Sequence, residues 1–215
     1  MTSKIAEESF FSTLKRGLIA ILRGVKPEEV EAIAEVLLEA GFEAIEIPLN
    51  SPDPLRSIEL ISRNYAKQAL IGAGTVLKST DVNDVFNAGG RLIISPNVEK
   101  TVIEKTISLG LVSMPGVFTP TEAHSALHYG ATSLKFFPAS VLGPEGINAI
   151  KATLPAGTIL GAVGGITESS LSDYCRVGVC LFGVGSHLYK PGDLPAMVKK
   201  KAETIVKCYD DILNS

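Results

Sequence analysis

Leu18-Ile19-Ala20-Ile21-Leu22-Arg23-Gly24 decides the fold together with the segment it leads into, Pro27-Glu28-Glu29 followed by apolar residues at Val30, Ile33, Ala34, Leu37 and Leu38. The first is a short continuous apolar run ending in a charge and a glycine, the pattern of a buried strand and its loop. The second opens on proline and two glutamates and then repeats its apolar residues at helical spacing, the pattern of a helix that covers the strand. The unit recurs along the chain. Apolar runs at 43–49 and 69–75 lead into helices near Pro52 and Asp81, and further strands are expected at 91–95, 111–114, 133–136, 158–163 and 179–184. Gly41, Gly89, Gly110 and Gly130 each follow a helical stretch, as C-terminal caps do. A last helix is expected over 193–211. Alternating strands and helices predict parallel pairing, and eight such units without a linker predict an α/β chain folded as a single (β/α)₈ TIM barrel over residues 17–215. The first strand lacks the GxGxxG turn expected of an open doubly wound sheet. Residues 1–16, with Ile5, Phe10, Phe11 and Leu14 at roughly helical spacing, are expected to form an N-terminal helical extension.

Composition narrows the function classes. A net charge of -3 and the absence of a long basic cluster give no footprint for nucleic acid. Lys199-Lys200-Lys201 lies in the expected last helix and reads as a solvated face. No apolar run is long enough to span a bilayer, and residues 1–16 carry no secretory h-region. Cys175, Cys180 and Cys208 are odd in number and lack metal-ligand spacing, which points away from a disulfide framework and toward a reducing cytoplasm. His124 and His128 are four apart on an expected helix, but barrel helices lie outside the site and no third ligand accompanies them, so no metal is expected.

Barrel active sites form at the C-terminal ends of the strands, so the polar residues that end each apolar run are the candidates. They are Arg23, Glu46, Thr75, Ser95-Pro96-Asn97, Pro115-Gly116, Lys135, Gly164-Gly165 and Gly185-Ser186. Lys135 stands in Thr132-Ser133-Leu134-Lys135-Phe136-Phe137-Pro138-Ala139-Ser140, an apolar run that should desolvate the ammonium and lower its pKa. A neutral amine is a nucleophile that forms Schiff bases with carbonyl substrates. The alternative is a lysine that snorkels to water from a strand end. Glu46, in Ala44-Ile45-Glu46-Ile47-Pro48-Leu49, is a carboxylate whose burial would raise its pKa into the range of a general base; otherwise it pairs structurally with a cation. Glycine pairs after the seventh and eighth strands occupy the positions where barrels bind phosphate through backbone amides, which points to a phosphorylated substrate. Ser186 would add a hydroxyl. Ser140 and Ser186 have no suitable His/Asp pair for a hydrolase triad, since His187 merely adjoins Ser186.

These residues resemble the class I aldolases of the KDPG, KDPGal and KHG aldolase family, which cleave 2-keto-3-deoxy-6-phospho sugar acids. The resemblance runs from Leu18 to Lys207. It is carried by Ile21-Leu22-Arg23-Gly24, Glu46-Ile47-Pro48-Leu49-Asn50-Ser51, Gly72-Ala73-Gly74-Thr75-Val76-Leu77, Ser95-Pro96-Asn97, Met114-Pro115-Gly116, Leu134-Lys135-Phe136-Phe137-Pro138-Ala139, Val163-Gly164-Gly165 and Gly185-Ser186. It implies that Lys135 forms the Schiff base and Glu46 moves protons, without cofactor or metal. It further implies that Arg23 and Thr75 hold the pyruvyl portion, that the Gly164-Gly165 and Gly185-Ser186 loops take the phosphate, and that the chain is a homotrimer. Gluconate-type members often carry arginine where Asn50 stands and threonine where Val163 stands, so the chain looks closer to the galactonate branch. Valine cannot bond a substrate hydroxyl, so the exchange at Val163 bears on the C4 centre where the two substrates differ. The galactonate substrate would yield pyruvate and D-glyceraldehyde 3-phosphate. The competing expectations are a gluconate or 4-hydroxy-2-oxoglutarate aldolase, an isomerase or epimerase working through Glu46 alone, and a non-catalytic sugar-phosphate sensor.

Overall fold

The computed structural model describes residues 14–214. Nine parallel strand segments and eight helices alternate along them. The strands are β1 (Leu18–Ile21), β2 (Ala44–Pro48), β3 (Leu70–Gly74), β4 (Leu92–Ile94), β5 (Val112–Met114), β6 (Gly116–Val117), β7 (Leu134–Phe136), β8 (Leu160–Val163) and β9 (Leu181–Val184). The helices are α1 (Pro27–Ala40), α2 (Pro54–Tyr65), α3 (Ser79–Asn87), α4 (Lys100–Ser108), α5 (Pro120–His128), α6 (Ala139–Lys151), α7 (Glu168–Arg176) and α8 (Pro195–Leu213). The sheet order β5-β4-β3-β2-β1-β9-β8-β7-β6 begins and ends on two segments separated only by Pro115. They are two halves of one strand, the first pairing with β4 and the second with β7. Proline has no N–H to give a ladder, so the regular pairing breaks there. The Pro115 carbonyl nevertheless accepts from Lys135 N–H at 2.9 Å, and Ser113 O accepts from Thr132 and Ser133, which carries the barrel round. The sequence predicts one strand at 111–114; the break and its continuation to Val117 are additions. The expected extension at 1–16 falls outside the described residues except for its last three.

Inside the barrel, alternation along each strand points every second side chain at the axis. One interior cluster, Ile19, Ala44, Leu70, Leu92, Ile94, Met114 and Leu181, fills the lower layer. Two residues further along β2, in register with Ile21 on one side and Gly72 on the other, comes Glu46. Lys135 stands in register with Gly116 and Gly161. Where a barrel interior is usually filled by branched side chains, this one has glycine at several inward positions. A Cβ on Gly161 would come 2.2 Å from Met114 Cε, and one on Gly183 would come 2.6 Å from Val163 Cγ2. Those two missing side chains leave room for Met114 and Val163, and Gly74 does the same for Glu46. The outer faces of the strands pack on the helices in the larger core, which includes Leu18, Ile45, Ile71, Ile93, Phe136 and Phe182. Below the barrel, Arg16 forks onto Asp210 with two bonds of 2.7 Å, and Gly17 N–H donates to the Tyr209 hydroxyl, so the entry to β1 is tied to α8.

Candidate active site

The inner wall of the site is a buried carboxylate facing a buried amine. Glu46 is 3% exposed and Lys135 is 6% exposed. Glu46 Oε2 is sealed from solvent and has no hydrogen-bond partner among the described residues. Orphaned buried oxygens are costly and rare, and they persist where chemistry requires them. Gly74 creates the space, since a Cβ there would lie 1.9 Å from that oxygen. Burial pushes the Glu46 carboxyl from 4.5 up to about 7, with Lys135 and Arg23 pulling the other way. The same burial lowers the Lys135 ammonium below the usual lysine range; Glu46 opposes that fall and Arg23 adds to it. Lys135 Nζ also lies 4.9 Å from the centre of the Phe137 ring, a contact that favours the cation. Desolvation outweighs it.

Above this pair, Arg23 follows β1 and reaches across to the ends of β2 and β3. Its Nη1 donates to Asn50 Oδ1 at 2.5 Å, and both terminal nitrogens lie 3.5 Å from Thr75 Oγ1. Thr75 takes the left-handed backbone conformation, φ 57°, which is uncommon for a threonine and turns the chain sharply at the end of β3. Ser95, another strand-end candidate, spends its hydroxyl on the Val76 carbonyl at 2.7 Å and is structural.

A cavity of about 420 Å³ runs from Ile21, Arg23 and Val163 to Gly164, Gly165, Gly185 and Ser186. Phe137 lines it as well, so one aromatic ring borders both the cavity and the lysine nitrogen. Gly164 and Gly165 both have positive φ (94° and 80°), and a Cβ on Gly165 would strike Ser140 at 2.6 Å. The amides of Gly165, Ile166, Ser186 and His187 donate to no acceptor among the described residues. Those free N–H groups adjoin the N-terminus of α7, whose Thr167 caps it reciprocally with Ser170. Unspent amides beside a helix N-terminus make a cradle for an anion.

Arg23, Val163 and the two glycine loops line the cavity itself, whereas Glu46, Thr75 and Lys135 do not; they are joined to it through Arg23, which lies against Thr75 and lowers the pKa of both buried groups, and through Phe137, which lies against Lys135. Two further lining residues escape the sequence reading, His187 and Lys190. His187 Nε2 lies 2.5 Å from Glu168 Oε2, and Lys190 is exposed at the cavity rim, its ammonium donating to no acceptor among the described residues. His187 directly follows the second glycine loop and Lys190 lies four positions past it, and neither position is marked by a local sequence pattern. His124 and His128 lie on α5, exposed, and among the described residues no group of three or more His, Cys, Asp or Glu side chains could hold a metal ion.

Comparison with known proteins gives a consistent result. Residues 11–208 match the model of the aldolase family described as KDPG and KHG aldolase. The chain is 53% identical over 199 residues to the probable 2-dehydro-3-deoxy-6-phosphogalactonate aldolase of Rhizobium meliloti (strain 1021), covering 93% of this chain and 94% of that protein. It is 44% identical over 195 residues to the 2-dehydro-3-deoxy-6-phosphogalactonate aldolase of Escherichia coli (strain K12), covering 91% and 95%. A solved structure described as native KDPGal superposes with a TM-score of 0.92 at 42% identity, covering 94% of this chain and 98% of that one.

Proposed function

The chain belongs to the KDPG and KHG aldolase family, and from that premise we propose that it cleaves 2-dehydro-3-deoxy-6-phosphogalactonate through a Schiff base on Lys135. The observation that carries the mechanism is the buried amine and carboxylate next to Phe137 and Arg23, which line a cavity that also holds an unspent amide cradle. Neutral Lys135 Nζ attacks the C2 ketone, and loss of water leaves an iminium, an electron sink two bonds from C4. Glu46, with a pKa of about 7, is close to equally ready to accept or return a proton at neutral pH. It takes the C4 hydroxyl proton, the C3–C4 bond breaks, and its electron pair flows into the iminium to give an enamine. D-Glyceraldehyde 3-phosphate leaves. Protonation of the enamine at C3 and hydrolysis of the resulting iminium release pyruvate and restore the free amine.

Arg23 and Thr75 bind the pyruvyl carboxylate, while the free amides beside Gly165 and Ser186 take the phosphate. Lys190 supplies a cation at that end, which the glycines and the serine hydroxyl lack. Val163 is 6% exposed and lines the cavity between the two ends, so it faces the carbons at which epimers differ. A valine cannot hydrogen-bond the C4 hydroxyl as a threonine can, so the residue at this position bears on the choice between the epimers. Pyruvate release from the galactonate and gluconate epimers, in this protein and in Val163→Thr, tests this. The galactonate epimer should be cleaved faster and the variant should shift toward gluconate; equal rates in both proteins would remove the assignment.

The assembly is a homotrimer in this reading. Leu77, Phe118 and Val141 are exposed apolar side chains beyond β3, β6 and β7, on one arc of the barrel rim, where a second copy would cover them. The setting is cytoplasmic: Cys175, Cys180 and Cys208 are all free thiols, and among the described residues no helix is long and apolar enough to cross a membrane.

A further inference from the structure

We infer that Asn50 is a positioning residue for this reaction, its side-chain amide holding the Arg23 guanidinium over Thr75 at the barrel mouth in the pose that receives the pyruvyl carboxylate. The inference rests on the Schiff-base reading above and deepens it.

Asn50 is itself firmly held. It follows β2 in a turn fixed by three hydrogen bonds: Leu49 N–H to Gly74 O at 2.9 Å, Ser51 N–H to Pro48 O at 2.9 Å, and Gly24 N–H to Ser51 Oγ at 2.9 Å. The last of these joins the Asn50 turn to the loop that carries Arg23, so donor and acceptor ride on tied segments. Arg23, by contrast, is exposed, and a long exposed arginine surrenders rotamer freedom whenever it binds. One of its five N–H donors is committed to Asn50 Oδ1 at 2.5 Å, and the guanidinium stays planar and bidentate toward a carboxylate with the rest. The choice of an amide also has a consequence for charge. Asparagine orients the guanidinium and leaves its full positive charge for the substrate, whereas aspartate would orient it and neutralise it. That charge reaches the buried pair too, since Arg23 lowers the pKa of both Glu46 and Lys135.

The test needs no phosphorylated substrate. Borohydride trapping is followed as a function of pyruvate concentration in the native protein, Asn50→Ala, Asn50→Asp, Arg23→Ala and Arg23→Ala/Asn50→Ala, with thermal melts to show that each is folded. Asn50→Ala should raise the half-saturating pyruvate about tenfold, the effect of losing one hydrogen bond to a charged group. In the Arg23→Ala background the same change should do nothing further, because Asn50 acts through Arg23. Asn50→Asp should weaken pyruvate at least as much as alanine does. Unchanged half-saturation in Asn50→Ala, an equal loss in the Arg23→Ala background, or native behaviour in Asn50→Asp would each overturn the inference. Native protein that traps no pyruvate at all would overturn the Schiff-base reading on which it stands, a result distinct from the other three.

Discussion

Glu46→Gln should hold its stability between pH 5 and pH 8, where the native protein loses stability, and should be a poorer enzyme. The carboxyl is buried, its Oε2 lacks a partner, and its pKa lies at about 7 in the fold against 4.5 for the unperturbed group. Between those two values the folded state keeps a proton that the unfolded chain has released, so stability falls as pH rises from about 4.5 through 7. At about 1.4 kcal/mol per unit, that shift corresponds to a penalty of about 3 kcal/mol once the carboxylate is fully ionised. Glutamine cannot ionise and escapes that penalty, which already includes the pull of Lys135 and Arg23, so the variant gains about 2–3 kcal/mol on the native protein between pH 5 and pH 8. Urea melts of the two proteins at pH 5 and pH 8 read this difference. The variant should gain on the native protein between the two pH values, and its catalytic rate should be lower by about 10²–10⁴, the usual contribution of a general base. Parallel melts, with the same offset at both pH values, would refute the claim that Glu46 is held against its own ionisation.

Other outcomes follow from the same geometry. Gly74→Ala would put a methyl where Glu46 Oε2 now sits; turnover should fall at least tenfold with pyruvate trapping on Lys135 largely kept, as single-turnover and trapping assays would show. Lys190→Ala, at the exposed rim of the phosphate end, should raise KM for the phosphorylated substrate several-fold and leave half-saturation by pyruvate alone unchanged. In the trimer proposed above, with the rim arc as its covered face, replacing both Leu77 and Phe118 by aspartate should yield monomers in analytical ultracentrifugation; an unchanged sedimentation coefficient would contradict that face.

The sequence carried most of the barrel because each unit repeats one signal: a strand buried on both faces reads as a continuous apolar run, and Gly41, Gly89, Gly110 and Gly130 do take positive φ after their helices. Pro115 was harder to read. Its missing N–H interrupts the ladder, but the strand resumes because Gly116 fits against Pro96, where a Cβ would meet the carbonyl oxygen at 2.2 Å. That contact is made in three dimensions and leaves no local pattern. Proline at 52 suggested the start of α2, yet the helix begins at Pro54 after Asp53 at φ 39°. The burial of Lys135 and Glu46 is legible because a charge inside an apolar run is anomalous on its face. Arg23 and Thr75 were legible as strand ends. His187, Lys190 and the Asn50 contact were not, because polar residues in loops are ordinary and only the fold shows which cavity they border.

The proposed cleavage depends on the nucleophilic amine of Lys135. Reduction with borohydride in the presence of pyruvate, followed by peptide mass spectrometry, measures it directly. The prediction is one covalent pyruvyl-derived adduct per chain, on the peptide containing Lys135, absent without pyruvate and absent in Lys135→Ala. An adduct on another lysine, or full turnover in Lys135→Ala, would contradict it.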